Sequence, residues 1–312
     1  MTEDLSHARS IAEVRVAVSA RAQVGECPRW DDELGRLLWI DISAHAVHAF
    51  DPVTGVDTSV QMSELITSVN LTTDRRVLVG HSRRFALVDL CTGATETALS
   101  LEHLHPSMST NDAACDSDGR LWFGTVAHGG AMTGGLFRFE GGDESTPMVS
   151  QVEFSNGLGW SPDGRLLYYA DSARGVDILD FDIEHGVAAN RRPFVLIPAA
   201  EGKPDGLAVD DEGGVWIALW GAGKVRRYKP DGSLDGHLNV PVGDVTACAF
   251  GGDDHSTLFI TSASARVDAQ AREPLAGNLF AADVPFTGPS ACRYRVSLPP
   301  SELNDPSDEN RW

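Results

Sequence analysis

Four short phrases place a carboxylate or an amide where the chain otherwise alternates between turns and apolar runs. They are GECPRW with Glu26, STNDAACD with Asn111, FSNGLGWSPDG with Asn156 and KPDGLAVDDEG with Asp205. Each lies a short, similar distance ahead of an Asp/Gly-rich turn. An Asn or Asp in front of Gly is by itself an ordinary turn former, so no single phrase argues for a site. Four at one phase of a repeat do, because equivalent positions of a rotational repeat lie at one height around its axis. Two carboxylates and two carboxamide oxygens then form a hard, oxygen-only donor set, which suits Ca²⁺, Mg²⁺ or Mn²⁺. Zn²⁺ fits less well without a His or Cys ligand among the four. The expected cofactor is a divalent cation, Ca²⁺, Mg²⁺ or Mn²⁺ ahead of Zn²⁺.

The repeat that must position these residues is visible along the chain. DDELGRLLWIDISAHAVHAFDPVTG, TTDRRVLVGHSRRFALVDLCTG, DSDGRLWFGTVAHGGAMTGGLFRFEGG, SPDGRLLYYADSARGVDILDFDIEHG, DDEGGVWIALWGAGKVRRYKPDG and GGDDHSTLFITSASARVDAQAREPLAGNLFAADV share one plan: turn, strand, small-residue gap, strand, turn. Their spacing of about 40–50 residues is that of propeller blades. Asp-Gly turns tolerate positive φ, and RLLWI, RLWFG, RLLYY and GVWIA suit strands buried on both faces. One such sheet leaves its faces uncovered, so the copies must stack around an axis. The expected fold is therefore all-β, a six-bladed β-propeller with a central metal-binding channel. A pair of β-sandwiches would leave the even repeat unexplained. The strand-like EVRVAVSAR at 13–21 has no blade of its own, and is expected to complete the blade begun by GNLFAADV or CRYRVSL. This gives a flexible N-terminus at 1–12, one propeller domain at 13–298 and a mobile tail at 299–312.

Composition narrows the partners. A formal charge of −20 repels phosphate backbones and anionic lipid, so nucleic acid and membrane are not expected partners. No run approaches the length of a membrane helix, and MTEDLSHARS has no signal-like apolar stretch. Five scattered cysteines without a CxxC pair read as free thiols of a cytoplasmic protein. A monomer or weak homodimer acting on a small molecule is the expectation.

GECPRW, NDAACDSDGRLWFGT, SNGLGWSPDGRLLYYADS, PDGLAVDDEGGVWIALWGAGKVRRYKPDG and CAFGGDDHSTLFITSA resemble the SMP-30/gluconolactonase/luciferin-regenerating-enzyme family, which includes regucalcin. The resemblance runs from about residue 24 to 285. It implies a six-bladed propeller, one divalent cation in the channel, and hydrolysis of sugar lactones or related cyclic esters. It further implies that Glu26, Asn156 and Asp205 hold the ion, while Asn111 borders it and touches substrate. The substrate residues depart from the family's pattern. Ser109 stands where sugar-lactone hydrolases carry an Arg, Ala113 stands for a Gly, and a substrate-contacting Glu of some relatives falls near Gly129. Loss of a multidentate guanidinium removes recognition of a polyhydroxylated ring, so a substrate other than the usual sugar lactones is expected.

These residues allow a concrete chemistry. The cation polarises a lactone carbonyl, and either Asp205 or a hydroxide generated at the metal delivers the attack, with Asn111 orienting the substrate. Ser109, His128 after its strand-like run, and Trp220 in ALWGAG are candidate walls of the pocket, although His128 also reads as a loop histidine and Trp220 as a packing aromatic. No GxSxG, HExxH or Cys/His arrangement offers another nucleophile. Two other classes remain open at this stage. One is a non-hydrolytic biosynthetic enzyme of cyclase or condensing type on the same scaffold. The other is a non-catalytic protein that binds metal or a small molecule.

Overall fold

The computed structural model describes residues 9–129, 133–265 and 273–296. The expected mobile tail at 299–312 and the first eight residues of the expected flexible N-terminus lie outside the described residues. The described residues form six sheets, each built on four antiparallel strands. Their innermost strands are Gly25–Asp31, Ile66–Leu71, Met108–Cys115, Ser155–Trp160, Lys203–Val209 and Val245–Gly251, numbered here as blades 1 to 6. Each inner strand touches the next in cyclic order, and that of blade 6 touches that of blade 1, so the ring closes. The fold is the six-bladed propeller expected from the repeat.

Burial explains the arrangement. The buried apolar side chains fall into six clusters, one at each seam between neighbouring blades. At the seam of blades 6 and 1, for example, Trp30 and Trp39 pack with Phe259 and Leu279. The repeated Asp ahead of each turn contributes to this packing. Asp116 Oδ2 accepts from Trp122 Nε1 at 2.9 Å, and Asp210 Oδ2 accepts from Trp216 Nε1 at 2.8 Å. In both blades the carboxylate fixes an otherwise unpaired indole N–H in the core of the sheet.

The chain ends are tied in. Arg15–Val18 pairs antiparallel with Leu279–Asp283 and becomes the outer strand of blade 6. The partner is thus GNLFAADV rather than CRYRVSL, whose Tyr294 makes only an isolated bridge to Thr72. Residues 9–12 of the expected flexible N-terminus are described. Arg9–Ser10 adds a parallel fifth strand to blade 5, and Ile11 packs against the cluster between blades 5 and 6. The open edge of blade 5 offers unpaired backbone groups, and satisfying them orders this segment.

Candidate active site

In all six blades the inner strand loses register with its neighbour near its N-terminal end. The breaks fall between Glu26 and Arg29, Ile66 and Ser68, Thr110 and Ala113, Ser155 and Leu158, Pro204 and Leu207, and Val245 and Cys248. A β-bulge leaves its residues out of the ladder and re-aims their side chains. Asn111, Asn156 and Asp205 lie inside three of these bulges, and Glu26 borders a fourth. Glycines make the close approach workable. A Cβ on Gly157 would meet Leu207 N at 2.4 Å, and one on Gly206 would meet the Ala247 side chain at 2.4 Å.

The result is one cavity of about 510 Å³ whose wall includes Glu26, Asn111, Asn156, Asp205 and Trp220. The four residues singled out by phase therefore come together from four blades. Asn111 Nδ2 donates to Ser155 O at 2.7 Å and to Asn156 Oδ1 at 2.8 Å, which leaves Asn111 Oδ1 without a donor among the described residues. Asn156 Nδ2 donates to Ser172 Oγ at 2.6 Å, and that hydroxyl donates to Pro204 O at 2.6 Å. These bonds orient the amides so that oxygen remains for an ion or a substrate.

Asp205 is 6% exposed, and its carboxylate accepts no hydrogen bond among the described residues. Glu26 accepts only from the N–H of its neighbour, Cys27, at 3.0 Å. Cys27 has φ +48, a conformation rare for a side-chain-bearing residue. Burial, then the charges of Glu26, Asp112 and Asp244, raise the Asp205 carboxyl well above its usual range. Burial and Asp112 push Glu26 up to about 8. Buried, mutually repelling carboxylates short of donors are costly unless protonated or paired with a cation. That donor set fits a hard divalent ion.

Several parts of this site were not singled out from the sequence. Asp112 is buried and accepts from Cys27 Sγ at 2.9 Å, so Glu26, Cys27 and Asp112 form a tight group, of which Glu26 lines the cavity. Arg29 lends these carboxylates positive charge while donating to Ala113 O at 2.7 Å. Asp41 and Asp171 hold the entries to two site strands. Asp41 accepts from Gln23 and Val24 N–H, and Asp171 accepts from Glu153 and Phe154 N–H at 3.0 Å each. Lys203, Glu153 and Phe154 also line the cavity. Ser109 and His128 do not line it. They pair with each other, Ser109 Oγ to His128 Nε2 at 2.7 Å, near the exposed end of their strands. Gly129 follows with φ +86 and open space around it.

Propeller and site together define a class: six-bladed rings with an oxygen-lined centre at one mouth. Residues 24–264 match the model of the SMP-30/Gluconolactonase/LRE-like region, and the chain belongs to that family. The putative sugar lactone lactonase YvrE of Bacillus subtilis is 33% identical over 281 residues, covering 86% of this chain and 96% of the relative. The pentonolactonase XacC of Haloferax volcanii is 32% identical over 290 residues, covering 90% and 98%. Among solved structures, a calcium-binding regucalcin from Agrobacterium tumefaciens superposes with a TM-score of 0.85 at 27% identity, covering 91% of this chain and 98% of that one.

Proposed function

We propose that this protein is a divalent-metal-dependent lactonase, a hydrolase that opens a cyclic carboxylic ester. The observation that carries the reading is the convergence of Glu26, Asn111, Asn156 and Asp205 on one cavity, with the Asp205 carboxylate lacking a donor. Relatives named as a sugar lactone lactonase and a pentonolactonase support the reaction, and one named as a calcium-binding protein supports the ion. Glu26, Asn156, Asp205 and Asn111 would hold the cation, Ca²⁺ in the first instance. When bound, it supplies a Lewis acid for the ester carbonyl.

The chain's own groups account for the rest. Asp205 is the base: one carboxylate oxygen takes a proton from the attacking water as the C–O bond forms, and returns it to the ring oxygen as the acyl C–O bond breaks. The Asp205 carboxylate accepts no hydrogen bond among the described residues, so an oxygen is open to that proton. Asn111 orients the substrate through Oδ1, because its Nδ2 is already committed to Ser155 and Asn156. Trp220 walls the ring. A substrate other than the usual sugar lactones is favoured by Ser109, which is bonded to His128 where a guanidinium would reach toward substrate oxygens. We place the enzyme in the cytoplasm, in keeping with five free cysteines.

The test is a lactone panel assayed by ring-opening acid release, with and without EDTA, and with product analysis. Metal-dependent release of the plain hydroxy acid is the expected outcome. Undiminished rates after metal stripping, or a rearranged product, would overturn the proposal.

A further inference from the structure

Two charged side chains on the cavity wall have no role in holding the ion. Lys203 opens the inner strand of blade 5, two residues before Asp205, and Glu153 lies three residues before Asn156. Among the described residues, Lys203 is the only basic one of that wall, and Glu153 its only carboxylate apart from Glu26 and Asp205. Both are exposed. Neither side chain makes an ion pair or hydrogen bond among the described residues.

Their backbones, by contrast, are fixed. Glu153 N–H donates to Asp171 Oδ2 at 3.0 Å, and Lys203 pairs with Trp220 in the blade 5 ladder. The chain of bonds from Asn156 through Ser172 to Pro204 O ties the two phrases together. An exposed unpaired charge adds almost nothing to stability, so folding alone does not call for either group. Phe154, beside Glu153, is 46% exposed on the same cavity, and Trp220 flanks Lys203.

We propose that Lys203 and Glu153 determine specificity at this site by reading substrate hydroxyls that face blades 4 and 5. This rests on the lactonase reading above. An ammonium donates to a hydroxyl oxygen and a carboxylate accepts from a hydroxyl, so the pair satisfies both halves of a vicinal diol. Phe154 and Trp220 supply apolar faces for the C–H side of the ring. The opposite charges of the pair give no net preference for an anionic lactone. Recognition has thus moved away from blade 3, where Ser109 is committed to His128, and the substrate's hydroxyl pattern differs accordingly.

The experiment uses the calcium-saturated enzyme. It compares kcat/KM for 1,5-lactones of gluco, galacto, xylo and arabino configuration with that for δ-valerolactone. In parallel, calorimetry compares binding of the matching 1,5-anhydroalditols, which cannot be hydrolysed, with that of tetrahydropyran. At least one hydroxylated member is expected to be favoured by about 10- to 100-fold, the yield of one or two charge-assisted hydrogen bonds. Lys203→Met and Glu153→Leu should each collapse the preference to within about threefold, mainly through KM, and Lys203→Arg should restore part of it. Lys229→Met, which removes a lysine from elsewhere on blade 5, controls for net charge and should leave the preference intact.

A wild type with no hydroxyl preference in either measurement, or a preference that survives both Lys203→Met and Glu153→Leu, overturns the proposal. If no lactone opens but the anhydroalditol preference is present and lost in the variants, the reaction assignment falls and the recognition pair stands. If lactones open without hydroxyl preference, the reverse holds.

Discussion

The two roles proposed for Asp205, ligand and base, are linked by its surroundings. The burial and the Glu26 and Asp112 charges that raise its proton affinity also make a cation welcome beside it. Asp205→Asn keeps the shape and an oxygen donor but removes the base. It should cut kcat by about 10²–10⁴-fold while weakening calcium binding less than Asp205→Ala does, as read by steady-state kinetics and calorimetry. A pH prediction follows from the same cluster. Glu26, Asp112 and Asp205 all hold protons more tightly in the folded chain than in the unfolded one. The metal-free fold therefore binds more protons than the unfolded chain, and loses stability as pH rises from the ordinary Glu value of 4.5 toward about 8. Melting temperatures of the metal-free protein should fall across that window. Saturating calcium should flatten the trend, because it stabilises the ionised carboxylates. Equal slopes with and without metal would refute this account.

At the scale of elements, the inner strand matters more than the motif printed on it. The phase of four phrases in the sequence was enough to bring Glu26, Asn111, Asn156 and Asp205 to one cavity. The bulges that aim them were not legible, because a bulge is a mismatch between two strands and neither strand alone encodes it. The same reason hid Lys203 and Phe154, which open two of the phrases, and Glu153 beside them, because their direction depends on that mismatch. The Cys27–Asp112 contact joins residues 85 apart and had no local signal. Ser109 and His128 were singled out separately, whereas their pairing across a strand gap is a register fact. Asp171 shows how the entry to a site strand is held. Asp171→Ala leaves the N–H groups of Glu153 and Phe154 without their charged acceptor, which should cost about 2–3 kcal/mol. Calcium affinity should fall with it, because Asn156 follows directly. Urea denaturation and metal titration of the same variant would check both, and a stability loss with unchanged affinity would argue that the entry segment and Asn156 are uncoupled.

For the whole molecule, the six-fold plan was legible because burial demands it. Each blade exposes two apolar faces, and the evenly spaced apolar runs left few other ways to cover them. How the circle would be sealed was half legible, since the 13–21 strand was recognisable but its partner was one of two candidates. The seal joins Arg15–Val18 to Leu279–Asp283, with Arg15 bonded to Asp283 at 2.9 Å. Removing residues 1–18 should bare the edge of blade 6 and lower the melting temperature by about 5–15 °C, or drive concentration-dependent association. Scanning calorimetry and light scattering read the two outcomes. A truncated chain that melts like the intact one and stays monomeric would show that the seal is dispensable.

That seal also sets a schedule for biosynthesis. Arg15–Val18 is completed by a strand made much later, 268 residues on between Arg15 and Asp283. At about 5–20 residues per second, the leading strand leaves the ribosome and waits roughly 15–50 s for its partner. Throughout that interval its backbone groups and Val16 have no blade to join, although Arg9–Ser10 gains the blade 5 edge somewhat sooner. Arg15–Val18 is therefore open to chaperones and proteases over that interval, and the strand Leu279–Asp283 is the one that ends the wait.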